Sequence, residues 1–155
     1  MKKILIGLLG LIFLGCAKDV KTDYNYKDDT FKVGQKWHYK TRLQDEGSLL
    51  TILKIENYAT DGIVLHIYVS GLKLKNPKIK GGYSDDVGHL PISKDALLKS
   101  VTTLESENNT LPENYNEGYE SWKKEFDAGR AGIFSTPVSE TTQFIEETVN
   151  NSNLH

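Results

Sequence analysis

The chain contains a single cysteine, Cys16, so no disulfide can form within it and its stability has to come from an apolar core. It has no apolar run of the roughly 20 residues that a spanning helix needs. Its longest, Ile4 to Leu14, is too short to remain in a bilayer as a stable anchor. An excess of positive charge is missing as well. With 19 Lys+Arg against 21 Asp+Glu and a net charge of −2, there is no basic footprint, and nucleic acid is excluded as a partner. There is no GxSxG, no HExxH and no internal repeat. Gly81-Gly82 lacks the lysine and the serine or threonine of a phosphate-binding loop. No motif therefore names a reaction or calls for a cofactor. At 155 residues the chain is long enough for one domain and too short for two ordinary ones.

What is present begins at the N-terminus. Lys2 and Lys3 form a positive n-region, and Ile4 to Leu14 fits the roughly 7 to 15 apolar residues of a secretory h-region. A lone thiol in an exported chain needs an explanation, and its position supplies one. The Phe13-Leu14-Gly15-Cys16 stretch resembles the lipobox of bacterial lipoproteins, with Phe13 where that family usually has Leu, Val or Ile. The resemblance implies a signal peptide over 1–15, a lipid on Cys16 and a mature chain that starts there. It also implies anchoring by more than one acyl chain, as stable attachment requires. Ala17 in the position after the cysteine resembles outer-membrane sorting, with the domain facing the periplasm. Residues 16–30 are polar without a sustained apolar period and read as a tether.

Residues 31–150 read as one α+β domain: an N-terminal antiparallel meander of about three strands, packed by about three C-terminal helices. Phe31, Val33, Trp37, Tyr39, Thr41 and Leu43 share one parity, and Lys32, Lys36, His38, Lys40 and Arg42 the other. Leu49 to Tyr58 and Ile63 to Leu72 follow, separated by Asp45-Glu46-Gly47 and Thr60-Asp61-Gly62, each a candidate three-residue hairpin loop. That register sets Leu43 opposite Leu49, Trp37 opposite Ile55, Leu53 opposite Val69 and Ile55 opposite Ile67, and makes one face apolar. The other face would carry Lys36, Glu56 and His66 in one row and His38, Lys54 and Tyr68 in another. Lys36, His38, Lys40, Arg42, His66 and Tyr68 are then the candidate ligand-binding residues, a basic and aromatic face suited to an envelope protein, glycan or lipid.

Residues 73–92 read as an irregular loop. Within it Asp85, Asp86 and His89 supply either metal ligands or turn and cap acceptors. Ser93 caps a helix expected from Lys94 to about Glu105. A second helix is expected between Glu117 and Ala128, with Tyr115, Tyr119, Trp122 and Phe126 as a core-facing stripe and Gly129 as its terminator. Gly132-Ile133-Phe134 is an edge strand or an extended link. Thr136 and Pro137 open a last helix whose stripe is Val138, Thr142, Ile145 and Val149. Residues 151–155 read as frayed. The expected role is that of a cell-envelope lipoprotein acting as a non-enzymatic binding module. An inhibitor or immunity-type periplasmic lipoprotein is the alternative, and a small metal-dependent envelope hydrolase using Asp85, Asp86 and His89 comes after it.

Overall fold

The computed structural model describes residues 22–151. The segment expected as a signal peptide, Cys16 and residues 152–155 of the C-terminus expected to fray lie outside the described residues. Five strands, β1 (Lys36–Tyr39), β2 (Leu49–Tyr58), β3 (Gly62–Lys75), β4 (Tyr83–Ser93) and β5 (Val101–Ser106), form one sheet in the order β4-β3-β2-β1-β5, with every neighbouring pair antiparallel. The helices are α1 (Lys94–Ser100), α2 (Tyr115–Asp127) and α3 (Val138–Asn151). The α+β class is as the periodicity predicts, but the sheet has five strands rather than about three.

Both additional strands come from segments read otherwise. Residues 73–92 are a hairpin arm, not an irregular loop: Leu72 and Leu74 are buried while Lys73 and Lys75 are exposed, which is strand alternation beneath the lysine cluster. The turn closes with Asn76 N–H donating to Gly82 O at 2.8 Å, and Gly81 and Gly82 take φ of 94° and 75°. The helix expected to reach Glu105 stops at Ser100. The β-branched Val101-Thr102-Thr103 run favours a strand and pairs with β1. Ser93 caps α1 as expected, its Oγ accepting from Ala96 N–H at 3.3 Å.

The first hairpin differs from expectation. β1 pairs with β2 as Lys36↔Thr51, Trp37↔Leu50 and His38↔Leu49, and Leu43 is 98% exposed rather than facing Leu49. The connection is held by a buried carboxylate instead of a tight loop. Asp45, in the 3-10 turn Leu43–Asp45, accepts from Arg42 Nε at 2.5 Å and from Lys73 N–H at 2.8 Å. The second loop has the expected length but is slid by one residue, with Tyr58 opposite Gly62. Lys54↔His66 and Ile55↔Leu65 follow from it, and then a bulge at Leu53 shifts the register to Ile52↔Ile67 and Leu50↔Val69.

The bulge decides which residues form the core. Leu50, Ile52, Ile55, Leu65, Ile67, Val69, Leu90 and Ile92 lie in one cluster with Leu97 and Val138 of the two helices that cover this face, α1 and α3. The opposite face carries Glu56, His66 and Tyr58, and α2 lies over it through Tyr119, Trp122 and Phe126. The sheet is thus covered on both sides along part of its length. The ordered domain also starts earlier than residue 31. Asp23 and Asn57 exchange backbone hydrogen bonds of 2.9 and 3.2 Å, and Asp28 is buried against Lys94. Residues 22–30, expected as part of the tether, are thus in contact with the domain.

Candidate functional site

Glu56, near the C-terminal end of β2, has no exposed surface, and an unpaired carboxylate there would be very costly. Its surroundings compensate. Oε2 accepts from Tyr58 Oη at 2.6 Å and from His66 Nε2 at 3.1 Å. Oε1 accepts from Tyr119 Oη at 2.7 Å and lies 3.4 Å from Lys54 Nζ. Burial opposes ionisation, but the hydrogen bonds from His66, Tyr58 and Tyr119 outweigh it and hold the carboxyl down at about 2. Burial and the neighbouring carboxylate in turn push the Tyr58 and Tyr119 hydroxyls well above the usual phenol range, so both remain donors.

The network extends to a second histidine. His66 is fully buried on β3, and burial holds its imidazole below the usual histidine value. A neutral His66 that donates through Nε2 to Glu56 has a bare Nδ1, which faces His89 Nε2 at 2.9 Å. His89 must therefore carry its proton on Nε2. Its Nδ1 is left as an acceptor that makes no hydrogen bond to a described residue. That atom is open to solvent rather than orphaned, since the buried side-chain polar atom without a partner among the described residues is Arg42 Nη2. Burial, and then the proximity of His66, bring His89 down to about 4, so it is a neutral acceptor at ordinary pH.

Helix α2 closes the network from above. The rings of His66 and Trp122 stand 4.9 Å apart, those of His66 and Tyr119 5.1 Å, and Trp122 stacks on Phe126 at 4.6 Å. The close approach depends on Gly118: a Cβ placed there would lie 2.7 Å from the Cβ of His89. Gly129, with φ of 71°, ends the helix as expected, its N–H donating to Phe126 O. Beyond it, Trp122 Nε1 donates to Gly132 O at 2.9 Å, and Phe134 bridges to Ile92. Between β4, α2 and this returning segment lies an open cleft of about 670 Å³. Its walls include His89, Pro91, Trp122 and Phe134, with Asn114, Ser121, Glu117 and Glu125 among the polar groups and, among the described residues, no lysine or arginine. Glu125 is paired with Arg130 at 2.6 Å.

The structure separates the basic face expected from the sequence. His66 lies beneath α2 with no exposed surface, and its Nδ1 faces His89 rather than solvent. His38 pairs with Glu105 at 2.6 Å, and Tyr68 Oη donates to Asp86 at 3.0 Å. Lys36 sits opposite Thr51 and Lys40 is exposed beyond β1. Arg42 turns to the other side of the sheet, toward Asp45, Gln143 and Glu146. Asp85, Asp86 and His89 do not converge either, since Asp86 faces Tyr68 while His89 faces His66. Among the described residues, no group of three or more His, Cys, Asp or Glu side chains is placed to hold a metal ion. Glu56 and His66 were legible as neighbours. His89 was not: it precedes three consecutive buried residues, Leu90, Pro91 and Ile92, so no clean alternation marks β4 there. No family model, no curated protein and no solved structure matches this chain.

Proposed function

We propose that the chain is a lipid-anchored protein of the bacterial cell envelope that acts as a non-enzymatic binding module, and that its ligand sits in the cleft between β4 and α2. The lipobox-like Phe13-Leu14-Gly15-Cys16 supports the anchoring. One observation carries the binding role: the Glu56–His66–His89 chain ends in a neutral imidazole acceptor on the wall of a cleft whose charged lining is acidic. Such a wall disfavours anions. It suits a neutral or amine-bearing ligand rich in hydroxyl donors, with an apolar face for Trp122, Pro91 and Phe134, and an envelope glycan has that chemistry.

Two experiments test the two parts. Intact mass of protein extracted from membranes should show a chain beginning at Cys16 with acyl groups added, and Cys16→Ser should lose both the added mass and membrane retention. An unmodified thiol in the native protein overturns the anchoring. For the cleft, Trp37→Phe leaves Trp122 as the remaining tryptophan, and its emission should change saturably on titration with uncharged N-acetylglucosamine oligosaccharides. Adding His89→Ala should weaken that binding roughly tenfold, the value of one good hydrogen bond. A flat titration in the Trp37→Phe protein overturns the glycan reading.

A further inference from the structure

A second cavity, of about 390 Å³, opens where the N-terminal stretch joins the sheet, and its electrostatics are opposite to those of the cleft. Tyr24, Tyr26 and Val33 line it, together with Lys27, Lys32 and Lys54. Tyr24 and Val33 are each about half exposed. Asp28 is the one acid in the lining, and it is occupied: Lys94 Nζ lies 2.6 Å from Oδ2, and the amides of Thr30 and Phe31 donate to Oδ1. Lys54 is partly offset by Glu56 at 3.4 Å. Lys27 and Lys32 are exposed and form no ion pair with a described residue. An apolar hollow with free cations at its rim matches a molecule that joins an anionic head to an apolar body.

Position selects the source of that molecule. The Asp23–Asn57 backbone bridge fixes the chain beside the cavity. From there to Cys16 is about seven residues, which span at most roughly 25 Å when fully extended. We propose that this cavity seats the headgroup of an anionic phospholipid from the membrane that carries the anchor. Lys27 and Lys32 take the phosphate, and Tyr24, Tyr26 and Val33 lie against the glycerol and first acyl carbons. This rests on the reading of Cys16 as the lipid-bearing residue. It supplies the basic patch that, beside an acyl anchor, strengthens attachment and sets the orientation of the domain.

The test uses the mature protein purified from membranes and placed in nanodiscs of either phosphatidylglycerol or phosphatidylcholine, with hydrogen exchange followed over residues 24–33. Phosphatidylglycerol should slow exchange there about fivefold or more relative to phosphatidylcholine, on the scale of one lysine at an anionic surface. The doubly exposed change Lys27→Glu with Lys32→Glu should abolish the difference at an unchanged melting temperature. Equal exchange in the two lipids overturns the proposal. So does equal protection by free glycerol phosphate over phosphatidylcholine, which would make the cavity a site for soluble phosphate esters. Loss of the protein from discs of both compositions has a different signature, and overturns the anchoring on which this placement of the lipid depends.

Discussion

Glu56 shows how much a single buried carboxylate can organise. Two phenols and an imidazole donate to it, and each of those donors comes from a different place in the chain: Tyr58 from its own strand, His66 from β3 and Tyr119 from α2. Removing the charge while keeping the shape should therefore be expensive. Glu56→Gln is expected to lose about 3 kcal/mol in urea unfolding, in the range for breaking a buried, hydrogen-bonded charge. Tyr119→Phe should lose about 2 kcal/mol by deleting one charge-assisted hydrogen bond. A loss below about 0.5 kcal/mol for Glu56→Gln would show that the carboxylate is not the organising group. Little of this was legible from residue types. Glu56 and His66 share a face on parity alone, but nothing in a lone histidine at position 89 or a tyrosine in a helical stripe says that the tyrosine donates to that carboxylate and the histidine joins it through His66.

At the scale of elements, legibility followed the clarity of the alternation. Helix α2 was predicted nearly as it is, because Tyr119, Trp122 and Phe126 recur at helical spacing against charged neighbours and Gly129 stops the pattern. Strand β2 lies where the alternation predicts, but half of its side chains face the side opposite to the expected one. Downstream of Leu53 the expected parity holds, with Ile55 in the core and Glu56 on the other side. Upstream it is reversed, with Leu50 and Ile52 in the core. Residues 49–53 are Leu, Leu, Thr, Ile and Leu, so apolar side chains stand on both parities and no alternation exists to reveal a bulge. Strand β5 is hidden in the sequence because Leu97, Val101 and Leu104 keep a helical spacing through a segment whose β-branched residues favour extension. The packing of α2 gives its own prediction. Gly118→Ala forces the helix away from His89, which should cost about 1 to 3 kcal/mol and change Trp122 emission, whereas alanine at an ordinary exposed helical glycine stabilises. A stabilised Gly118→Ala protein with unaltered emission would contradict the contact.

The whole molecule inherits a pH dependence from this network. Three groups of the site are depressed on folding: Glu56 to about 2, His89 to about 4, and His66 below the usual histidine value through burial. The unfolded chain therefore binds more protons than the folded one as pH falls, and stability present at neutral pH is lost on acidification. His89 gives up its contribution between its unfolded value of 6.5 and about 4, and Glu56 between 4.5 and about 2. The melting temperature should fall in two overlapping stages, and His89→Gln should reduce the first without abolishing it, because the buried His66 loses its contribution over the same range. A melting temperature constant from pH 7 to 4 would exclude a neutral, buried His89. The sheet that carries the network also has to serve two layers at once, which gives the Leu53 bulge a consequence for changes in chain length. Losing one residue elsewhere in the middle of β2 would exchange the sides of a run of the strand, turning Glu56 or Lys54 toward α1 and α3 and Ile52 or Ile55 toward α2. Losing Leu53 itself would bring Ile52 and Lys54 into simple succession with every side chain on its present side. Among single deletions in that stretch, the one at Leu53 should be the best tolerated, and a deletion scan scored by soluble yield would show a lone surviving position in an otherwise intolerant strand.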